Sequence, residues 1–405
     1  MRKRLKVKIG PSRLKDMLAF RNMPLTRDKI IKSADDMPVV SQYPINMNAE
    51  LLHPAFQKMT VAGITDHPYS GARTLVLKKT DGSPAAWFRA GQYVSVFLRI
   101  GGSLVSRPYS ISSSPMETKN GIIRITVKKA GGNFVSGYLL SEVREGDFIT
   151  VSGPQGQFFH DRIRDSRNVV AVAGGSGITP FMSMACAIRD GMEDFNLTIL
   201  YGSGTEEGIL FRDELGVIAA QTGKVKVFHV LSGEEKPGYE SGLITADLIR
   251  RYASGDYSLF ICGPEGLYRF MEGQLPELGL ARRRIRREMT AVTADVPDTS
   301  AQEPEVFRLH VIQGPLGYDI KASSSESLLV AMERAGINAP ARCRSGECGW
   351  CRSLLVSGEV RIPEQNDRRR IMDRQSGHIH PCCAFPLSDI VLEIPSGDIA
   401  PDFLV

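Results

Sequence analysis

From Gln57 to Phe159 apolar and polar positions alternate in short runs, TLVLKK, YVSVFLRI and IIRITVKK, separated by turn-forming DGS, GGS and KNG. Alternation with period two places every second side chain on one face of a strand, so this region is predicted as an antiparallel barrel. Beyond Arg167 the pattern changes. RNVVAVAG, LTILYG, KVKVFHVL and YSLFICG are nearly unbroken apolar runs that alternate with helical segments, which implies a parallel sheet. Ahead of the barrel, SRLKDMLAF reads as a short helix that Ser12 caps, followed by loop-rich PVVSQYPINMNAELLHP. The polar, proline-containing TAVTADVPDTSAQEPE at 290–305 reads as a linker, and beyond it ESLLVAMERAGI has the spacing of an amphipathic helix. The expected organisation is an extension over 1–54, a barrel over 55–162, an α/β domain over 163–289, the linker, and a third domain over 306–405. No internal repeat or low-complexity tract interrupts it.

Composition adjusts this outline in two places. With 42% hydrophobic and 23% charged residues the chain is an ordinary folded protein, and no apolar run approaches membrane-spanning length. The net charge of +5 is misleading, because residues 1–32 alone hold eleven Lys or Arg against two Asp. The remainder is therefore acidic, and no nucleic-acid partner is expected. The basic arm either docks a partner or is a solvated tail. Lacking a secretory signal pattern, the chain is expected in the cytoplasm.

Seven cysteines are too few for a disulfide scaffold, and five of them fall in the last 63 residues. Cys343, Cys348 and Cys351, in CRSGECGWC, have the spacing of a plant-type 2Fe-2S loop, whose fourth ligand lies far downstream. Adjacent Cys382 and Cys383 compete for that place. The small residues Ser345, Gly346 and Gly349 let backbone amides turn toward sulfur. Zinc, with His378 and His380 completing a set, is the alternative.

Four further segments suit a dinucleotide-like ligand. RPYSISSSP offers the Arg107 fork for phosphate, the flat face of Tyr109 and the hydroxyl of Ser110. GGNFVS follows, with Gly131 and Gly132 ahead of a helix that begins near Val135 and Ser136, a place for a pyrophosphate. GGSGITP, from Gly174 to Pro180, stands between an apolar strand and a helix, and Cys262-Gly263-Pro264 ends the last apolar strand. At the carboxyl ends of parallel strands these two segments can share one cleft. Cys186, within an apolar helix, reads as core.

RPYS, GGNFVS and GPQGQF (153–158) together resemble the flavin domain of the ferredoxin-NADP reductase superfamily. GGSGITP and CGP resemble its nicotinamide domain, and the cysteine loop with HPCCAFPLSD resembles a plant-type ferredoxin of the β-grasp, α+β class. The resemblance implies that Arg107 binds flavin phosphate, that Tyr109 packs on the ring, that Ser110 lies near flavin N5, and that Pro108 belongs to the same cofactor-binding segment. It places Gly174, Gly175, Gly177, Thr179, Pro180, Cys262, Gly263 and Pro264 around the nicotinamide nucleotide, with Ser110 and Cys262 at the reacting centre. In the ferredoxin pattern an alanine follows the last ligand by two residues and a proline by four, so Ala384 and Pro386 select Cys382. FAD is expected, with FMN as the alternative. NADH is expected over NADPH, because Gly204 stands where many relatives carry arginine, although Arg212 is a substitute cation.

The order flavin, nicotinamide, ferredoxin is similar to that of phthalate dioxygenase reductase and the reductases of Rieske oxygenases and hybrid-cluster protein. It implies hydride transfer from NAD(P)H to flavin, then single electrons through a 2Fe-2S cluster to a separate redox protein or oxygenase. Reverse flow toward NAD(P)+, and a redox-sensing or structural subunit, are the alternatives. No acid-base residue is assigned.

Overall fold

The structure, a computed structural model, describes residues 14–33, 43–129, 134–288 and 304–395. The chain divides into a small N-terminal unit ending at Leu51 and a large unit beginning at Leu52. The first holds α1 (Leu14–Ser33), which runs through Pro24, and α2 (Pro44–Leu52), which buries no residue. The sequence reading of a short helix followed by a loop is therefore corrected. Pro44 opens α2 where a missing N–H costs nothing, and Asn46 and Met47 donate to the Tyr43 carbonyl at 2.9 and 3.1 Å. Ser12 and most of the expected linker lie outside the described residues. Among the described residues no helix is long and apolar enough to cross a membrane.

In the large unit, six antiparallel strands come first: β1 (Phe56–His67), β2 (Ala72–Lys79), β3 (Tyr93–Ile100), β4 (Ser103–Ser110), β5 (Ile122–Lys128) and β6 (Phe148–Ser152). Their order is β4-β3-β6-β1-β2-β5, and a bridge between Ile111 and Ile125 closes the ends into a barrel. Alternate residues, among them Met59, Leu75, Val96, Ile125 and Val151, fill its interior, with Val135 and Leu139 of α3 (Phe134–Ser141) packed in.

The second sheet contains β7 (Asn168–Gly174), β8 (Asn196–Ser203), β9 (Val225–Leu231), β10 (Glu240–Ser241), β11 (Tyr257–Cys262) and β12 (Ile285–Arg287). Their order is β10-β9-β8-β7-β11-β12 and every pairing is parallel. Val169 and Ala171 of β7 pack in one core with α4 (Thr179–Arg189) and α5 (Arg212–Gln221). Val170 and Val172 pack in another with α6 (Ala246–Tyr252) and α7 (Glu265–Leu278). Burial on both faces is the reason these strands lack the alternation of the barrel. From β7 the chain steps outward through β8, β9 and β10, then returns to lay β11 on the other flank of β7. That reversal is a topological switch point, where open α/β sheets bind ligands.

The third sheet has the order β14-β13-β19-β15-β17, built from β13 (Val306–Gln313), β14 (Leu316–Ser323), β15 (Ser353–Ser357), β17 (His378–Ile379) and β19 (Ile390–Ile394). A two-stranded piece pairs β16 (Val360–Arg361) with β18 (Phe385–Pro386). Strands β13 and β19 are parallel and the other pairings antiparallel. Helix α8 (Leu328–Arg334) buries Leu328, Leu329 and Met332 in the core of this grasp-type domain, and the Ser327 hydroxyl caps it by accepting from the Val330 N–H. A last short helix, α9 (Ile371–Gln375), precedes β17.

Phe158, just past the barrel, joins it to the parallel sheet. Its ring lies 5.7 Å from Phe181 and 5.3 Å from Phe260, centroid to centroid. Truncation to Ala leaves a cavity that should cost about 3–5 kcal/mol, read as a lowered urea midpoint for both the barrel and the parallel-sheet domain.

Candidate functional site

The switch point carries the first half of the site. Strand β7 ends at Gly174, a single 3-10 turn spans Gly175–Ile178, and α4 begins at Thr179 with Pro180 in its first turn. Strand β11 ends at Cys262, in register with Ala173. The two segments pack so closely that a Cβ on Gly177 would lie 2.2 Å from the Cys262 carbonyl oxygen and 2.6 Å from the Gly263 Cα. Any side chain there would push the turn off the strand end. Thr179 donates to the Ser176 carbonyl at 3.0 Å, and the Tyr201 hydroxyl donates to that of Gly175 at 3.0 Å, fixing the turn from both ends. Pro264 caps α7. All the residues expected around the nicotinamide thus stand at one edge of the sheet.

The barrel supplies the second half. On β4, Pro108 pairs with Ser95 and Ser110 with Tyr93 of β3. Tyr109 packs against the barrel core, and burial pushes its hydroxyl up to about 12. Val135 and Ser136 are buried at the start of α3, whereas Gly131 and Gly132 lie outside the described residues. Arg107 points its guanidinium at Glu333, 3.1 Å away.

The two halves meet at a residue the sequence reading missed. Glu288 follows edge strand β12, where its N–H donates to the Ile261 carbonyl at 3.0 Å. One carboxyl oxygen accepts from the Ser110 hydroxyl at 2.9 Å and the other from the Cys262 thiol at 2.8 Å. Tyr268 of α7 donates to its backbone carbonyl. Glu288 is 9% exposed, and burial raises its carboxyl to about 7 against the pull of the Cys262 and Ser110 donors. Burial and the adjacent carboxylate likewise raise the Cys262 thiol. The available signal was a lone acid closing the basic run ARRRIRRE. A hydroxyl, a titratable carboxyl and a thiol in contact, between a flavin motif and a nicotinamide motif, fit a flavin ring stacked against a nicotinamide and can hold a proton there.

The cysteines form two pairs. The Cys348 N–H approaches the Cys343 sulfur at 3.4 Å, and the Cys351 thiol approaches the Cys382 sulfur at 3.5 Å. Within each pair one thiol donates to the other, so Cys343 and Cys382 are held well below the usual thiol range while Cys348 and Cys351 are pushed up. The Ser345 N–H also donates to the Cys343 sulfur at 3.5 Å, and Trp350 N–H to Cys348 at 3.4 Å. Among the described residues no three Cys, His, Asp or Glu side chains gather closely enough to hold a single metal ion. Two pairs of thiols, each able to carry charge and fed by backbone N–H groups, suit two irons sharing four thiolates. His378 bonds to Ser376 at 2.8 Å and His380 to the Gly346 carbonyl at 2.7 Å. Cys383 places its thiol toward the His380 and Asn366 carbonyls, 3.4 and 3.7 Å away, and also against the Cys382 sulfur, where with Cys351 it helps hold Cys382 low. Gly346 is required beside it: at φ +80°, a Cβ would lie 2.4 Å from the Asn366 carbonyl.

Two measurements check these assignments. Cys382→Ser should abolish the reduced-cluster electron paramagnetic resonance signal, while Cys383→Ser should keep it; the reverse pattern would hand the ligand role to Cys383. Folded Glu288 keeps its proton to about pH 7 and the unfolded carboxyl loses it near 4.5. The native state therefore binds the extra proton between those values, and stability should fall as pH rises through that window. Glu288→Gln should flatten the fall in melting temperature; equal slopes in both proteins would contradict the buried carboxyl.

Comparison with known proteins covers the same three regions. Residues 73–160 match the oxidoreductase FAD-binding domain, 171–273 the oxidoreductase NAD-binding domain, and 312–387 the 2Fe-2S iron-sulfur cluster binding domain. The glycine betaine monooxygenase reductase subunit of Pseudomonas aeruginosa is 28% identical over 330 residues, 76% of this chain and 87% of the relative. The ferredoxin reductase component of 3-ketosteroid-9-alpha-monooxygenase from Mycolicibacterium smegmatis is 29% identical, covering 80% and 92%. NADH oxidoreductase HCR of Escherichia coli is 26% identical, covering 75% and 88%. The solved structure of phthalate dioxygenase reductase shares the fold, with a TM-score of 0.61 and 24% identity over 84% of this chain and 98% of that one. With oxidoreductase FAD-binding, oxidoreductase NAD-binding and 2Fe-2S cluster binding domains in this order, the chain is a flavin- and iron-sulfur-containing oxidoreductase.

Proposed function

We propose that this chain is an NADH-dependent reductase that feeds single electrons to a separate acceptor protein, an oxygenase component being the first candidate. The observation that carries the reading is the contact of Ser110, Glu288 and Cys262, which joins the flavin strand to the nicotinamide strand. Two of the relatives above are named as reductase parts of monooxygenases, which supports the choice of acceptor. The chemistry that the bound groups supply is hydride acceptance by FAD and single-electron carriage by the 2Fe-2S cluster, matching a two-electron donor to a one-electron acceptor.

The chain's own residues align and insulate. Tyr109 and Ser110 hold one side of the junction, and Gly177, Thr179 and Cys262 the other. Glu288, poised near neutrality, stores a proton between the Ser110 hydroxyl and the Cys262 thiol. Cys343, Cys348, Cys351 and Cys382 hold the cluster, and Cys348 is the exposed member of the set. A reducing, cytoplasmic setting agrees with seven free cysteines. The docking role expected for the basic arm rests on its charge alone.

The preference for NADH gains support at the carboxyl ends of β8 and β9. Glu206 accepts from Arg212 at 2.6 Å, from Lys236 at 2.7 Å and from the Tyr239 hydroxyl at 2.8 Å. The substitute cation is therefore engaged by an acid, a residue type suited to a ribose 2'-hydroxyl and unfavourable to a 2'-phosphate. Anaerobic NADH should bleach the flavin and then raise the cluster resonance. Absence of both with NADH and NADPH alike would refute the assignment. Glu206→Ala, which removes the acid that Arg212 and Lys236 share, should shift kcat/KM toward NADPH by about tenfold.

A further inference from the structure

Glu333 lies in α8 of the ferredoxin domain, is 4% exposed, and faces the flavin barrel. Its carboxylate receives the Ser106 N–H of β4 at 3.2 Å, the Arg107 guanidinium at 3.1 Å and the Arg344 guanidinium at 2.7 Å. Arg107 and Ser106 precede the flavin residues Tyr109 and Ser110 on the same strand. Arg344 follows the cluster ligand Cys343 and is only 7% exposed. One buried carboxylate thus ties the strand that carries the flavin to the loop that carries the cluster. Nearby, the Ser103 hydroxyl reaches the Arg334 carbonyl at 3.5 Å, on the same seam.

We propose that Glu333 is the positioning residue for electron transfer between flavin and cluster, a role that rests on the reductase reading above. Three features carry it. A buried carboxylate with donors from two domains fixes both at one point, because releasing either guanidinium strands a charge away from water. Arg344 also has φ +58°, one of two non-glycine residues with positive φ among the described residues. Such a conformation persists only where surroundings enforce it, and the bond to Glu333 supplies the enforcement one residue from Cys343. Finally, two guanidinium groups share one carboxylate, leaving an excess positive charge at Arg107, whose side chain is 24% exposed. An anionic flavin phosphate balances that excess. The same cation then serves the flavin and, through Glu333, the cluster loop.

The step concerned moves one electron at a time across the seam and makes or breaks no covalent bond, so its rate depends on how firmly the two carriers are held. Glu333→Gln keeps the shape and removes the charge. In holoprotein mixed anaerobically with NADH, flavin reduction should stay within about twofold of wild type, while the following cluster phase slows by about tenfold or more. Flavin affinity should hold or rise, since Arg107 loses a competing anion, and small-angle scattering should show a larger particle. Glu333→Asp, with charge kept and reach shortened, should fall between. The resonance after chemical reduction verifies that the ferredoxin domain is intact in each variant. An unchanged cluster phase in Glu333→Gln would overturn the proposal, as would parallel loss of flavin and cluster, which marks a purely structural residue. Failure of NADH to reduce wild-type flavin would instead refute the reductase reading.

Discussion

Glu288 bonds at the same time to the strand that carries the flavin motif and to the strand end that carries the nicotinamide motif, and the geometry of the site depends on that contact. A carboxyl taken out of water either finds a cation or keeps its proton. Here the neighbours are a hydroxyl and a thiol, so burial prevails and the group titrates near neutrality. The close approach of Gly177 to Cys262 brings the nucleotide turn to the same place. The barrel and the parallel sheet are thereby joined at one place.

The other buried acid obeys the opposite logic. Glu333 sits between two guanidinium groups, and its three donors come from a different domain or from the cluster loop. Buried ion pairs rarely add much net stability, since desolvation cancels most of the attraction, but they are costly to break on one side only. That makes them better locators than glue. One acid accordingly joins the flavin strand to the nicotinamide strand, and the other joins the flavin strand to the cluster loop.

Much of this was legible in sequence because local rules apply locally. YVSVFLRI became a strand over its own length, the apolar runs of the parallel sheet became its strands, and CRSGECGWC with Cys382 produced two thiol pairs. The spacing of Ala384 and Pro386 favours Cys382 over Cys383, whose thiol turns to carbonyls and to the Cys382 sulfur. Glu288 and Glu333 could not be found that way. Their meaning lies in partners 178 and 227 residues distant, Ser110 and Ser106, and no local pattern marks an acid that will be buried. The N-terminal helices were underestimated for the reverse reason. PVVSQYPINMNAELLHP read as loop, while its Pro44, in the first turn of a helix, is a starter.

The position of Glu288 bears on how this protein can be taken apart. The matched nicotinamide domain ends at residue 273, yet the strand that delivers the carboxyl runs to Arg287. A fragment cut where sequence similarity fades would keep the nucleotide turn, Cys262 and Ser110 and lose the group that links them. A joint for exchanging the ferredoxin domain therefore lies beyond Glu288, and a graft made upstream of it would replace the acid that links Ser110 to Cys262 with whatever residue the donor carries there.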